Sequence, residues 1–185
     1  MKTRLAALLA AAMLCAPAFA QQKVKIATSL GDIVIELDAA KAPKSADNFV
    51  QYVKAGHYDG TIFHRVIEDF MIQGGGMKPD MKEKPVRAPI PLESRTGLSN
   101  TRGTVSMART MDPNSATAQF FINVKDNARL DFTSATPQGY GYTVFGKVIE
   151  GMDVVTKIAK APKGATGTLH PEISPADAPA TQIVI

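Results

Sequence analysis

The sequence has almost no cysteine, the residue that forms disulfide cross-links, and it lacks tryptophan altogether. Its 185 residues include one cysteine, Cys15, and no tryptophan. Because Cys15 lies in an N-terminal stretch with the pattern of a secretory leader, the chain after that leader has neither a disulfide nor thiol chemistry. We therefore expect a fold held together without covalent cross-links, which an oxidising compartment leaves unchanged.

The sequence also has little net charge. Lysine and arginine number 21 against 17 aspartate and glutamate, which gives a formal net charge of +4. Cleavage of a leader that contains Lys2 and Arg4 lowers this charge to +2. A surplus this small gives no support to nucleic acid as a partner, because nucleic-acid-binding surfaces are strongly basic.

The sequence contains no hydrophobic run as long as the stretch of about 20 apolar residues that a membrane-spanning helix needs. The apolar run at residues 5–16 is shorter, follows Lys2 and Arg4, and precedes the small-x-small motif Ala18-Phe19-Ala20. This pattern predicts a signal peptide over residues 1–20. We expect one domain over residues 21–185, with no membrane association once the signal has been cleaved.

The remaining sequence has the composition of a globular protein, with 45% hydrophobic and 21% charged residues. Alternation of polar and apolar residues predicts about eight short strands. They lie at residues 23–28, 32–37, two within 61–76, 103–108, 119–124, 143–148 and 181–185. Helical spacing predicts one helix within 42–55 and a second over 152–159, with a short helical turn near residues 127–130.

These elements favour a mainly β fold. Neighbouring strands are joined by turns or irregular loops, which favours antiparallel pairing. Closure of the sheet would remove the exposed edges that so many strands leave. The sequence therefore predicts a closed eight-stranded antiparallel β-barrel capped by two α-helices, with the first and last strands as neighbours.

Residues 61–76 contain the strongest candidate site. If Arg65 and Gln73 lie on two strands joined by a short turn, they share one face beside large apolar side chains such as Phe70. The alternative is that Arg65 is an ordinary surface charge and Phe70 an ordinary core residue. The three glycines that end the stretch are not followed by the Gly-Lys-Ser/Thr of a phosphate-binding loop, so they favour a backbone turn.

At this point the chain resembles the cyclophilin-type peptidyl-prolyl isomerases. The likeness extends over residues 23–185 with its blocks in the family order. The blocks are FHRVI at 63–67, FMIQGG at 70–75, GTVSMA at 103–108, QFFI at 119–122 and VFGKV at 144–148. The signal peptide, NTRG at 100–103 and ART at 108–110 make the chain most similar to the bacterial periplasmic members, so we expect a periplasmic isomerase that assists the folding of secreted proteins.

The resemblance implies a role for each candidate residue. Arg65 would be the catalytic donor, assisted by Phe70 and by Gln73, which would hold Arg65 and contact the substrate backbone. The remaining residues would bind substrate: Met71, Phe121 and Leu130 with Phe70 around the proline ring, Ala108, Arg109 (through its main chain) and Gln119 along the extended peptide, and Tyr142 at the rim. The expected partners are proline-containing peptides and unfolded proteins, the expected state is a monomer, and no cofactor or metal is implied.

Two positions depart from the common eukaryotic pattern. Arg129 stands where those members usually have tryptophan, and Tyr142 where they have histidine. Because the tryptophan is associated with cyclosporin binding, we expect weak inhibition by that drug. Neither departure affects Arg65.

Other functions fit parts of the pattern. A non-catalytic peptide-binding module or holding chaperone would use the same groove, but would not need Arg65 together with Gln73. A purely structural barrel leaves polar residues on an apolar groove unexplained. The histidines His57, His64 and His170 lack metal-ligand spacing.

Overall fold

The structure is a computed structural model that describes residues 21–164, 173–174 and 176–185. The predicted signal peptide lies outside the described residues. The strands are β1 (Lys23–Thr28), β2 (Gly31–Leu37), β3 (Phe63–Ile67), β4 (Met71–Gly74), β5 (Thr104–Met107), β6 (Phe120–Asn123) and β7 (Val144–Glu150). The helices are α1 (Pro43–Lys54), α2 (Met152–Ala159) and a 3-10 turn at Ala128–Leu130.

The seven strands of the described chain form one sheet in the order β1-β2-β7-β5-β6-β4-β3. Every neighbouring pair is antiparallel. The sheet curls so that its two edge strands, β1 and β3, both approach residues 183–185. Ser29, which follows β1, donates its N–H to the carbonyl of Val184, and Phe63 on β3 donates its N–H to the carbonyl of Ile183. The prediction of a mainly β antiparallel fold with two helices is confirmed.

The prediction of a closed eight-stranded barrel is not confirmed. Within the described residues, the segment 181–185 does not form the predicted eighth strand, and its one β-bridge joins Val184 to Ile62. The physical reason is that this segment divides its main-chain hydrogen bonds between two sides, with Gly60, Thr61 and Phe63 on one side and Ser29 on the other. A continuous ladder with one neighbour, which defines a strand, does not form.

The core lies inside the curl of the sheet, where the two helices cover it. Of the predicted apolar stripe on helix α1, Ala46, Phe49 and Val50 are buried, and Val53 is partly buried against the same core. The ring of Phe49 lies 5.5 Å from that of Phe120 on β6 and 5.2 Å from that of Phe145 on β7, measured between ring centroids. These contacts fix the interior face of the sheet and leave its outer face for the candidate site.

No helix in the described part of the chain combines the length and the apolar character needed to span a bilayer.

Candidate active site

The candidate site is built on a row of residues that crosses four strands. Arg65 on β3 is paired with Gln73 on β4, Gln73 with Phe121 on β6, and Phe121 with Ser106 on β5. Directly opposed residues of antiparallel strands place their side chains on the same face. The prediction that Arg65 and Gln73 share a face is therefore confirmed, and Phe121 joins them.

A β-bulge gives Arg65 its direction. The pairing of β3 with β4 shifts register between Phe63 and Arg65. Without this shift the two residues would share a face, because side chains alternate along a strand. With it, Phe63 and Val66 are fully buried in the core, while Arg65 reaches the other side of the sheet. Bulges are frequent beside active sites for this reason.

The side chain of Arg65 lines a cavity of about 120 Å³. This volume suits one small side chain rather than a drug-sized ligand. The lining consists of Arg65, Phe70, Met71, Gln73, Ala108, Arg109, Phe121, Leu130 and Tyr142. The structure thus brings together all of the predicted site residues except Gln119, which lines an adjoining cavity of about 480 Å³ together with Gln73 and Arg109.

The floor of the smaller cavity is apolar, and the guanidinium of Arg65 lies at its edge. Met71 and Phe121 are 2% and 4% exposed, whereas the side chain of Arg65 is 37% exposed. The ring of Tyr142 meets that of Phe121 edge to face, with centroids 5.6 Å apart. A bound group that covers this opening would exclude water from Arg65 and strengthen its field.

The partners of Arg65 and Gln73 differ from the prediction. Gln73 was expected to hold Arg65, but its amide Nε2 donates to Oε1 of Gln119 at 2.9 Å. The charged partner of Arg65 is Asp177, whose Oδ2 lies 3.5 Å from Nε. The predicted contact of Gln73 with the substrate backbone stays a prediction.

Two further arginines stack on aromatic rings that line the cavity. Arg109 places its guanidinium carbon 4.6 Å above the ring of Tyr142 and donates from Nε to the carbonyl of Gly141 at 2.9 Å. Arg129 lies 4.4 Å above the ring of Phe70. Such stacking holds an arginine against an aromatic face. The sequence suggested only a main-chain role for Arg109, so this side-chain role is an addition.

Buried asparagines support the walls of the cavity from behind. Asn127 donates from Nδ2 to the carbonyl of Phe70 at 2.9 Å, and Asn100 donates from Nδ2 to the carbonyl of Leu130 at 3.1 Å. Ser106, in the row that begins at Arg65, donates to Oδ1 of Asn100 at 2.7 Å. Sequence reasoning missed this network. The available signal was the presence of asparagine just before and after predicted strands.

Comparison with known proteins agrees with this geometry. The model of the family "Cyclophilin type peptidyl-prolyl cis-trans isomerase/CLD" matches residues 23–184. The chain therefore belongs to the cyclophilin-type peptidyl-prolyl cis-trans isomerases, enzymes that interconvert the cis and trans forms of the peptide bond before proline.

Curated relatives include bacterial isomerases. The chain is 62% identical over 143 residues to the peptidyl-prolyl cis-trans isomerase cyp18 of Streptomyces antibioticus, a match that covers 77% of this chain and 86% of the relative. It is 53% identical over 150 residues to peptidyl-prolyl cis-trans isomerase B of Escherichia coli, covering 81% of this chain and 91% of the relative.

A solved structure is also similar. It is a cyclophilin type peptidyl-prolyl cis-trans isomerase of Cryptosporidium parvum, determined in the presence of the dipeptide Ala-Pro. The superposition has a TM-score of 0.70 with 29% identity, and it covers 89% of this chain and 95% of that chain. The family assignment confirms the resemblance stated from the sequence.

Proposed function

We propose that this isomerase acts on X–Pro bonds of secreted or periplasmic proteins while they fold, with Arg65 as its catalytic residue. One observation carries the assignment of Arg65. Its side chain shares a cavity with Phe121, Met71 and Phe70, so a fixed positive charge borders an apolar hollow that suits a proline ring. The Ala-Pro dipeptide named for the Cryptosporidium structure is the simplest ligand of this kind.

The chemistry of the reaction needs such a charge. Rotation about an X–Pro bond is slow because resonance gives the C–N bond partial double-bond character, with a barrier of about 20 kcal/mol. Twisting the bond breaks that resonance and leaves a lone pair on a pyramidal prolyl nitrogen. A guanidinium that donates a hydrogen bond to this nitrogen stabilises the twisted state more than either planar state. Only such a difference accelerates the reaction.

Arginine suits this task better than lysine. Its guanidinium stays protonated at any physiological pH and presents several N–H groups in one rigid plane. No side chain has to gain or lose a proton during rotation, and no covalent intermediate is needed. The apolar floor formed by Met71 and Phe121 holds the ring of the proline while the preceding carbonyl turns.

The adjoining cavity provides a path for the rest of the peptide. It is lined by Gln119, Arg109 and Gln73. Arg109 and Gln73 also line the cavity of Arg65, and Gln119 accepts a hydrogen bond from Gln73. An extended peptide that places its proline in the smaller cavity would lay its preceding residues along the larger one. Amide and main-chain groups are suited to bind such a backbone.

The central experiment is an isomerase assay on the chain without residues 1–20, using a proline-containing peptide. We expect Arg65→Ala and Arg65→Lys to lower kcat/KM by about 10²–10³-fold, the usual loss when one transition-state donor is removed. Arg102→Ala is the matched control, because Arg102 is an exposed arginine outside the cavity. Near-normal activity of both Arg65 variants would contradict the proposal.

A second measurement separates the isomerase from a holding chaperone. The refolding of a client whose slow phase is limited by proline isomerisation should accelerate with the wild type and not with Arg65→Ala. If both forms suppress aggregation equally and neither changes the slow phase, the chain acts by holding its clients.

The periplasmic location is proposed from the leader pattern of residues 1–20. Cell fractionation of a bacterium that expresses the full chain should place it in the periplasm, shortened to begin at Gln21. Recovery of the uncleaved chain from the cytoplasm would contradict this part of the proposal.

A further inference from the structure

Asp177 holds a special position beside the proposed catalytic residue. Its Oδ2 lies 3.5 Å from Nε of Arg65. Within residues 21–164, 173–174 and 176–185, it is the one carboxylate within ion-pair distance of this guanidinium. It comes from the irregular segment near the C-terminus, far from Arg65 in sequence, and it is absent from the cavity lining.

The main chain fixes where this carboxylate stands. The carbonyl of Asp177 accepts a hydrogen bond of 2.7 Å from the N–H of Val66, the residue that follows Arg65. The N–H of Asp177 in turn donates to the carbonyl of Ser174 at 2.9 Å. The backbone of Asp177 is thus held by Val66, the neighbour of Arg65, while its carboxylate lies beside Arg65 itself.

Packing of the next residue adds a second anchor. Ala178 is fully buried in a small apolar cluster with Ile62, Met77 and Ile173. This cluster lies beside β3, which is an edge strand of the sheet. The carboxylate therefore occupies a defined place along β3, unlike an acidic side chain on a free loop.

The contact is made at the inner nitrogen of the guanidinium. Nε is bonded to the aliphatic stem, whereas the two terminal nitrogens lie farther out. A carboxylate at Nε restrains the rotation of the stem and leaves both terminal nitrogens available for a ligand. Arginine has many rotamers, so an unrestrained side chain would rarely point in one direction.

We propose that Asp177 is a positioning residue that aims the guanidinium of Arg65 into the cavity through Nε. This inference rests on the proposed role of Arg65. Both side chains are partly exposed, at 37% and 27%, so their ion pair contributes little to stability. Its value lies in orientation, because a displacement of about 1 Å in a reacting group can cost about 10²-fold in rate.

The first experiment removes the negative charge of Asp177 and keeps the shape of its side chain. Asp177→Asn should lower kcat by about 5- to 10-fold and leave KM within about twofold, since the apolar floor that binds proline is unchanged. Asp177→Glu, which keeps a carboxylate, should recover at least half of the lost kcat. Asp153→Asn on the surface of α2 is the matched control and should behave as the wild type.

A double-mutant cycle tests whether Asp177 acts through Arg65. Lysine has no Nε–H on a planar group, so Asp177→Asn should change the residual activity of Arg65→Lys by less than about 1.5-fold. Nuclear magnetic resonance should show a mobile Nε–H of Arg65 in Asp177→Asn and a rigid one in the wild type. These readouts would not respond to a general loss of stability.

The outcomes separate this inference from the proposed function. If Arg65→Ala is inactive while Asp177→Asn matches the wild type, or if the two substitutions lower activity independently, Asp177 has no positioning role and the proposed function stands. If Arg65→Ala is itself active, the proposed function fails before the question of Asp177 arises. A thermally unstable Asp177→Asn whose activity loss tracks its unfolding would also overturn the inference.

Discussion

The carboxylate of Glu93 binds the first turn of helix α1 at Ser45. Oε2 accepts hydrogen bonds of 2.8 Å from both the main-chain N–H and the hydroxyl of Ser45, and Oε1 accepts one of 3.0 Å from the N–H of Lys44. The residue at the N-cap, Ala42, supplies no side-chain cap. Glu93 therefore satisfies donors that a helix start leaves without an intrahelical partner.

Glu93→Ala should lower the free energy of unfolding by about 2 kcal/mol, because it removes three hydrogen bonds to a charged acceptor at the positive end of a helix dipole. Urea denaturation measures this change. Glu150→Ala, an exposed glutamate at the end of β7, is the control and should have little effect. Equal stabilities of the two variants would contradict a capping role for Glu93.

Gly75 should tolerate no side chain. Its φ is +87°, and a Cβ there would lie 2.8 Å from the ring of Tyr58 and 2.9 Å from that of Phe120. Gly97 has a similar φ of +78°, but no atom lies within 4 Å of the place that a Cβ would occupy, so it isolates the backbone cost. We expect Gly75→Ala to be less stable than Gly97→Ala by about 2 kcal/mol in urea denaturation, the usual cost of overpacking a core. Equal losses would show that the core can accommodate the methyl group.

His57 should make stability depend on pH. Burial lowers the pKa of His57 below 6.5 and outweighs the opposing hydrogen bond to the carbonyl of Gly75. The unfolded chain therefore binds a proton more readily than the folded one below about pH 6.5. The free energy of unfolding should fall as the pH drops from 6.5 towards the folded-state pKa, by at most about 1.4 kcal/mol per pH unit.

Urea denaturation at pH 7.5, 6.5 and 5.5 measures the effect of His57. His57→Gln should remove this part of the pH dependence, while the contributions of carboxylates remain in both proteins and cancel in the comparison. Identical slopes for the two proteins would show that burial of His57 does not affect its proton binding.

Arg129 should determine sensitivity to cyclosporin. Its guanidinium lies over Phe70 at the edge of the cavity, where a tryptophan would present a broad apolar surface and an N–H donor. We expect weak inhibition of the wild type and at least about tenfold tighter inhibition of Arg129→Trp in the isomerase assay. Arg129→Ala is the control and should remain weakly inhibited. Tight inhibition of the wild type would contradict the prediction.

The regular elements could be predicted because their sequence patterns are local. The apolar stripe that includes Phe49 predicts helix α1, and the pattern over 152–159 coincides with helix α2. The three glycines after Gln73 were expected to form a backbone turn; Gly74 instead ends β4, and Gly75 has a φ of +87°, which favours a turn at that position. The clustering of Arg65 with Phe121 followed from the family resemblance together with the alternation of strands.

Other features could not be predicted because they depend on contacts between distant segments. The alternation of Thr181 to Ile185 has the pattern of a strand, but its main-chain hydrogen bonds are divided between Ser29 and residues 60–63. Asp177 and Glu93 lie in segments without periodicity, and only the folded chain brings them to Arg65 and Ser45. No local signal distinguishes either acid from an ordinary surface residue.

The bulge in β3 determines how this strand can change in evolution. Phe63 points inward and Arg65 outward only because one additional residue separates their registers. Deletion of His64 would make Phe63 and Arg65 direct neighbours, which the regular alternation of a strand places on opposite faces even without the bulge. Among homologues, a one-residue gap between these two positions is therefore compatible with an arginine that still faces the cavity.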